Sequence, residues 1–270
     1  MLGCEEVRKL AQVTPSKIFL LVLDGLGGLP DPETGRTELE TAATPNLDRL
    51  ATEGICGMQH TVSPGITPGS APGHLALFGY DPVECQLGRG IVEALGLDIE
   101  VGKGDVVARG NFCTVDDSGR ITDRRAGRIP GELNHELCDL LNEKVRLPGV
   151  EVSFYSGKEH RFVIRLRGEA LSQEVADTDP QHEGMKAIPA RAFEPEGQHT
   201  AELIDSLVEQ ARDLLADKHP ANMVLLRGFS KHPDYPSMEY IYRLTPACIA
   251  TYPMYRGVAR VVGMNILPAG

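Results

Sequence analysis

Residues 18–23, Ile-Phe-Leu-Leu-Val-Leu, form an unbroken apolar run that follows Lys17 and closes on Asp24-Gly25. A run of this length without polar alternation has no side to turn toward water. It predicts a strand buried on both faces, as in the interior of a parallel sheet covered by helices. Of all the features in the chain this one constrains the fold most, and it points to an α/β architecture. Ligands of such sheets bind outside the carboxyl ends of the strands. Asp24 stands at that end, followed by Gly25, Gly27 and Gly28, where a carboxylate on rigid backbone is well placed to ligate a metal. A loop-capping aspartate is the alternative. A dinucleotide fingerprint fails, because after Gly25 and Gly27 the third glycine position is Pro30, where a helix should begin.

The rest of the pattern fits an α/β chain. Residues 1–15 read as a short amphipathic helix ending at Pro15. Thr44-Pro45 opens a second helix, with Thr44 as N-cap, Pro45 at the first helical position and Gly54 as the stop. Residues 63–73 are too rich in Gly and Pro for regular structure, and a short helix over 74–78 follows. Residues 106–115, 150–155, 161–167 and 222–227 read as strands, with a turn at Asp116-Asp-Ser-Gly119. Residues 132–141 read as a helix. Residues 201–215 form an amphipathic helix with Leu203, Leu207, Val208, Ala211, Leu214 and Leu215 on one face. Residues 240–263 lean helical. The character of the sequence changes near residue 97. The expected division is 1–95 as a sheet domain carrying Asp24, 96–265 as an inserted α/β domain, and 266–270 as the start of a return linker.

Several functional classes are excluded by composition. The 270 residues carry a net charge of −11, which argues against nucleic acid as a partner. No stretch approaches the ~20 apolar residues that cross a bilayer, and no signal-peptide pattern opens the chain. The expectation is a soluble, cytoplasmic protein. Its six cysteines are scattered without a CxxC pair and read as reduced, mostly buried thiols. The charge is uneven, however. Residues 103–167 hold 12 basic and 10 acidic side chains, a net +2, which leaves −13 on the remainder. A basic middle in an acidic chain suggests a local anion site, with solvated surface clusters as the alternative.

Thr67-Pro-Gly-Ser70-Ala-Pro-Gly73-His-Leu-Ala-Leu-Phe-Gly-Tyr-Asp81-Pro82 carries the second chemical feature. A serine just before a helix has free backbone amides nearby, and these suit a phosphate. A bound metal would lower its hydroxyl pKa toward that of a nucleophile. Neither a Walker A loop nor a nucleophile elbow fits the spacing.

Together with 22–28, Thr41-Ala-Ala-Thr-Pro-Asn-Leu-Asp-Arg-Leu50, Gln86-Leu-Gly-Arg-Gly-Ile-Val-Glu-Ala-Leu-Gly96, Ala108-Arg-Gly-Asn-Phe112, Ile121-Thr-Asp-Arg-Arg-Ala-Gly-Arg-Ile129, Asp177-Thr-Asp-Pro180 and Tyr252-Pro-Met-Tyr-Arg-Gly-Val-Ala-Arg260, this segment resembles the archaeal and bacterial group of 2,3-bisphosphoglycerate-independent phosphoglycerate mutases. That group belongs to the alkaline phosphatase superfamily, and the resemblance runs over essentially the whole chain. Ala71 departs from many relatives, which carry a polar residue next to the serine. The resemblance implies a phosphatase-type parallel sheet, here truncated, with an inserted α/β substrate domain. It implies interconversion of 3-phosphoglycerate and 2-phosphoglycerate through a phosphoserine, with no requirement for 2,3-bisphosphoglycerate. Ser70 would be the nucleophile, and Asp24 and Ser70 ligands of divalent metal, whether manganese, magnesium, cobalt or zinc. Arg124, Arg125 and Arg128 would bind the substrate's carboxylate and phosphate, with Arg109, His160 and Arg161 as further candidates. Bidentate guanidinium bonds suit both groups; surface salt bridges are the alternative for each arginine.

The resemblance also exposes a gap. The superfamily's metals need an Asp-x-x-x-His pair, an Asp-His pair and a further His, and none of the eight histidines here follows an Asp at either spacing. The family's chain runs on beyond the position of Gly270. The chain is therefore expected to be a fragment without mutase activity alone. A split protein completed by a second, C-terminal chain, or a derivative that binds a phosphorylated acid without turnover, are the alternatives. A phosphomonoesterase and a homoserine kinase-like activity are the other enzymatic readings.

Overall fold

The computed structural model describes residues 3–66 and 68–269. Thr67, at the start of the serine loop, and Met1, Leu2 and Gly270 lie outside the described residues. The helices and strands in chain order are α1 (Cys4–Leu10), α2 (Glu38–Thr41), α3 (Pro45–Glu53), α4 (Ser70–Leu77), α5 (Arg89–Gly96), β1 (Val106–Val115), β2 (Ile121–Asp123), α6 (Gly131–Lys144), β3 (Val150–Ser156), β4 (Arg161–Gly168), α7 (Gln198–Leu215), β5 (Met223–Ser230), α8 (Met238–Tyr242), β6 (Ala247–Ile249), α9 (Pro253–Val261) and β7 (Asn265–Leu267). They fall into two compact units, one of Met1–Ala11 with Cys85–Gly270 and the other of Gln12–Glu84.

The larger unit is built on a five-stranded sheet in the order β2-β1-β4-β3, with β5 also paired to β1. Every pairing in it is antiparallel. Alternation along β1 sorts its side chains by face. Val106, Ala108 and Phe112 enter a core with Phe162, Ile164 and Leu166 of β4 and Val224 and Leu226 of β5, closed by Leu137 and Leu141 of α6 and Ile204, Leu207 and Leu215 of α7. Gly110 has no side chain because the Phe162 ring of the facing strand occupies that space. Phe162 in turn stacks at 4.7 Å on Phe112. On the opposite face α5 lies so close that a Cβ on Gly90 would meet the carbonyls of Val107 and Gly228. Beyond the sheet, α9 connects β6 to the parallel strand β7, a short β-α-β crossover.

The unit of residues 12–84 carries α2, α3 and α4 and has no strand among its described residues. Here the structure corrects the expected strand at 17–23. Its backbone makes no strand pairing, and its side chains are open, with Ile18 81% and Phe19 88% exposed. A strand hidden on both faces needs ladder neighbours on each side, and the described residues of this unit supply none.

Three further features differ from the sequence pattern. The helix expected from His74 begins at Ser70, and Gly73 N–H already donates to Gly69 O at 2.9 Å. Pro72 is tolerated because first-turn amides have no helical acceptor to lose. Thr44 does sit at the N-cap of α3, but its hydroxyl donates to Asp48 Oδ1 at 3.0 Å and caps no amide. The helix leaning over 240–263 resolves into α8, β6 and α9, broken where Arg243 turns left-handed (φ 54°) and Pro246 and Pro253 follow.

Candidate functional site

The face of the sheet turned away from α6 and α7 carries arginines. Arg109 of β1 lies directly opposite Arg227 of β5, and Asn111, two residues on and therefore on the same face, lies opposite Arg161 of β4. The Nε atoms of Arg109, Arg161 and Arg227 are all buried without a hydrogen-bond partner. Buried donors in this condition are rare, because leaving one unpaired costs about 1–3 kcal/mol. Burial lowers the Arg109 guanidinium from its ordinary value; Glu93 opposes this, and repulsion from Arg161 and Arg227 reinforces it. Burial and the nearby Arg89 do the same to Arg227. The face is held together against its own charge, a condition that an anion relieves.

His160 immediately precedes β4 and is 3% exposed; its Nδ1 has no hydrogen-bond partner and lies 3.8 Å from Glu159 Oε2. Burial first, then Arg161, pushes its pKa down to about 4 against the pull of Glu159. It is neutral at physiological pH and offers a hydrogen bond without adding charge. Asn134 of α6 fixes this corner, donating Nδ2 to the carbonyls of Glu159 at 2.5 Å and Arg161 at 2.7 Å.

The Asp-Arg-Arg-Ala-Gly-Arg run divides. Its backbone winds around Asp123, whose carboxylate accepts from Arg125 N–H and Gly127 N–H, each at 2.7 Å. Ala126, Gly127 and Arg128 are all left-handed, at φ 47°, 63° and 56°. Consecutive left-handed residues are costly and persist where surrounding contacts over-determine them. Arg124 turns inward onto Asp179, donating Nε at 3.1 Å and Nη2 at 2.6 Å. Arg125 and Arg128 stay outside, Arg128 in an ion pair with Glu159 at 3.5 Å. Of the arginines singled out in the sequence, Arg109 and Arg161 share the sheet face and Arg124 joins an acid.

Sequence reasoning missed Arg227, Asp179, Asn111, Arg89 and Glu93. The signal was present in β1, where Arg109 and Asn111 are polar at every second position of an otherwise apolar strand. It was present again in Asp177-Thr-Asp-Pro180. Asp177 Oδ1 accepts Gly228 N–H at 2.7 Å, and Thr178 pairs with Leu226 through its backbone N–H and its hydroxyl, each at 2.9 Å.

In the other unit, Ser70 Oγ donates to Asp24 Oδ2 at 3.2 Å, across 46 residues of sequence. The two residues expected to act together are thus adjacent. Ser70 opens α4, and its carbonyl accepts His74 Nδ1 at 2.7 Å. As a metal site the pair is incomplete. Carboxylate and hydroxyl oxygens suit a hard divalent ion, but such ions take about four to eight ligands. Among the described residues no group of three or more His, Cys, Asp and Glu is arranged to hold one. The residues present do not by themselves fit the metal that the resemblance implies.

A mixed α/β chain with an arginine-lined sheet face and a separate serine–aspartate pair defines the class. Residues 51–222 match the model of the 2,3-bisphosphoglycerate-independent phosphoglycerate mutase family, and the chain belongs to that family. A probable 2,3-bisphosphoglycerate-independent phosphoglycerate mutase of Thermus thermophilus is 52% identical over 263 residues, covering 97% of this chain and 65% of the relative. One from Thermotoga neapolitana is 49% identical over 265 residues, covering 98% and 65%. Among solved structures, a cofactor-independent phosphoglycerate mutase from Thermoplasma acidophilum aligns with a TM-score of 0.64 at 36% identity, over 91% of this chain and 67% of that one. A Pyrococcus horikoshii protein aligns at 0.72 and 28%, over 92% and 60%. The chain spans about 65% of the length of these curated relatives. No helix among the described residues is long and apolar enough to cross a membrane.

Proposed function

We propose that this chain is the substrate-gripping and nucleophile-bearing part of a phosphoglycerate mutase that interconverts 3-phosphoglycerate and 2-phosphoglycerate in glycolysis and gluconeogenesis without 2,3-bisphosphoglycerate. The observation that carries this reading is the set of unpartnered guanidinium Nε atoms of Arg109, Arg161 and Arg227 on one sheet face. A phosphoglycerate brings a carboxylate and a phosphate, both of which guanidinium groups bind through paired hydrogen bonds. Arg124, Arg125, Arg128 and neutral His160 complete the proposed substrate set.

In the reaction Ser70 Oγ attacks phosphorus, its proton moving toward the Asp24 carboxylate that already accepts its hydrogen bond. The Oγ–P bond forms as the bond from phosphorus to the substrate 3-oxygen breaks, and the proton held at Asp24 passes to that oxygen, leaving glycerate with two free hydroxyls. The 2-hydroxyl then attacks phosphorus and gives its proton to Asp24 as the Oγ–P bond breaks, and Oγ takes that proton back from Asp24. Asp24 and Ser70 would offer two oxygens to a divalent metal such as manganese, which these two residues alone do not fit; no group of three or more His, Cys, Asp and Glu among the described residues would complete its shell. The proposed division of labour places the nucleophile within residues 1–95 and the substrate residues within 96–265. The remaining length of the relatives, on the same or a complementing polypeptide, completes the enzyme in the cytoplasm.

Calorimetric titration with 3-phosphoglycerate tests the reading. Saturable binding is expected, lost in Arg109→Ala and Arg227→Ala variants that keep their thermal transition, with no turnover by the chain alone. Absence of binding by the unaltered chain contradicts the substrate assignment, and turnover by the chain alone contradicts its incompleteness. Saturable binding with no turnover in a protein shown to be whole would favour the binder reading.

A further inference from the structure

The arginine face contains one fully buried acid, and its position is specific. The Asp179 side chain is 0% exposed. It receives Nε and Nη2 of Arg124 at 3.1 and 2.6 Å, Nη1 of Arg227 at 3.4 Å and the backbone N–H of Gln181 at 2.8 Å. Burial alone would raise its carboxyl. The Arg124 hydrogen bonds, the Gln181 amide and the charges of Arg124 and Arg227 together hold it below the ordinary carboxylate value, so it is ionised at neutral pH.

This arrangement is poorly suited to mere capture of anions. A buried negative charge weakens the attraction of the face for every anion, and it occupies one whole edge of the Arg124 fork. If the face served only to hold charge, Asp179 would be counterproductive. What the acid supplies is orientation. It fixes Arg124 through two parallel bonds and draws Arg227 to the same carboxylate oxygen, leaving the third guanidinium nitrogen of Arg124 and the unpartnered Nε of Arg227 in set directions. Arg109 and Arg161 keep their Nε atoms without a hydrogen-bond partner, and Arg109 meets the charge of Glu93 without a hydrogen bond to it. The face therefore has one side whose guanidinium groups are tied to a carboxylate by hydrogen bonds and one side whose groups are not.

Resting on the reading that this face binds phosphoglycerate, we infer that Asp179 is a specificity-determining positioning residue: it makes the face prefer an anion with two charged ends over one with a single end. A two-ended ligand gains from donors held at fixed separation, because the ordering of both forks is done before it binds. A single-ended anion such as inorganic phosphate meets the same repulsion from Asp179 but gains little from that order, so only the two-ended ligand has its loss offset.

The test is the ratio of affinities for 3-phosphoglycerate and inorganic phosphate, measured by calorimetry on the unaltered chain and on Asp179→Asn. Asparagine keeps the shape and one acceptor but removes the charge. We expect phosphate binding to tighten and 3-phosphoglycerate binding to weaken, so that the ratio falls at least about tenfold. A simple structural loss weakens both ligands alike, and an unchanged ratio in a variant that retains its thermal transition overturns the inference. Should Asp179→Asn not fold, Arg124→Lys reads the same quantity, since it keeps the charge and loses the fork; the ratio again falls, or the inference fails. If the unaltered chain binds neither ligand, the arginine-face reading itself is wrong and the inference goes with it. That outcome differs visibly from binding with an unchanged ratio.

Discussion

The two units of this chain treat their apolar residues in opposite ways. In the unit built on β1–β5, large apolar side chains such as Phe112, Phe162, Ile164 and Leu207 are fully enclosed between sheet and helices. In the unit of residues 12–84, an equally apolar segment, 18–23, lies open. The difference lies in the partners each segment finds. β1 pairs on both edges within its own unit, with β4 on one side and β5 and β2 on the other. Residues 18–23 find no strand to pair with among the described residues of theirs. The candidate site residues follow the same divide. The arginine face is assembled from three paired strands, whereas Ser70 and Asp24 meet in a single exposed hydrogen bond.

Truncation of one ring in each unit gives the largest expected contrast. Phe162→Ala removes the ring that packs on Phe112, Phe154 and Gly110, and should cost about 3–5 kcal/mol in urea unfolding. Phe19→Ser should stay within about 0.5 kcal/mol and reduce self-association in light scattering, because it removes an exposed apolar group. A large loss from Phe19→Ser would break the comparison.

A smaller effect is expected at the contact between α5 and α9, where a Cβ on Gly257 would meet the carbonyl of Val92. Gly257→Ala forces two helices apart against backbone and should cost about 1–3 kcal/mol, seen as a lowered thermal midpoint with the arginine face still able to bind.

The pH dependence sharpens the comparison further. His160 is held neutral, with a folded pKa of about 4 against an ordinary value of 6.5. The unfolded chain therefore binds the extra proton first as pH falls. Stability from this group is fully present above about 6.5 and is lost as pH drops from there toward about 4. His160→Gln should flatten that part of the stability–pH curve, and an unchanged slope would place the histidine in a more open setting. The smallest effect belongs to Ser70→Ala. Its exposed hydrogen bond to Asp24 should leave stability within about 0.5 kcal/mol, whatever it does to chemistry.

Much of the sheet was legible in the sequence because its strands alternate or run apolar between turn residues, and its helices carry a clear stripe. β1, β3, β4 and α7 fall where the pattern places them. The 17–23 strand was misread locally for a non-local reason, since periodicity reports a wish for burial and says nothing about whether partners exist. α4 starts at Ser70, ahead of the Gly- and Pro-rich pattern that points to His74, because first-turn positions accept both residues. Ser70 and Asp24 stand out in the sequence at the ends of expected elements, and the structure brings them within 3.2 Å of one another, although the strand expected before Asp24 is not formed. Arg227 and Asp179 do not stand out, because what unites them with Arg124 is the pairing of β5 with β1 and the segment 177–179 lying beside it. No spacing in the sequence records either contact.

The central claim is that the sheet face of Arg109, Arg161 and Arg227 grips the phosphoglycerate. The most direct test is a heteronuclear NMR titration that follows arginine Nε–H resonances as 3-phosphoglycerate is added. The account predicts saturable shifts at Arg109, Arg161 and Arg227, with Arg146 and Arg212, which lie away from the face, unmoved. Shifts confined to Arg146, Arg212 or other surface arginines would contradict it.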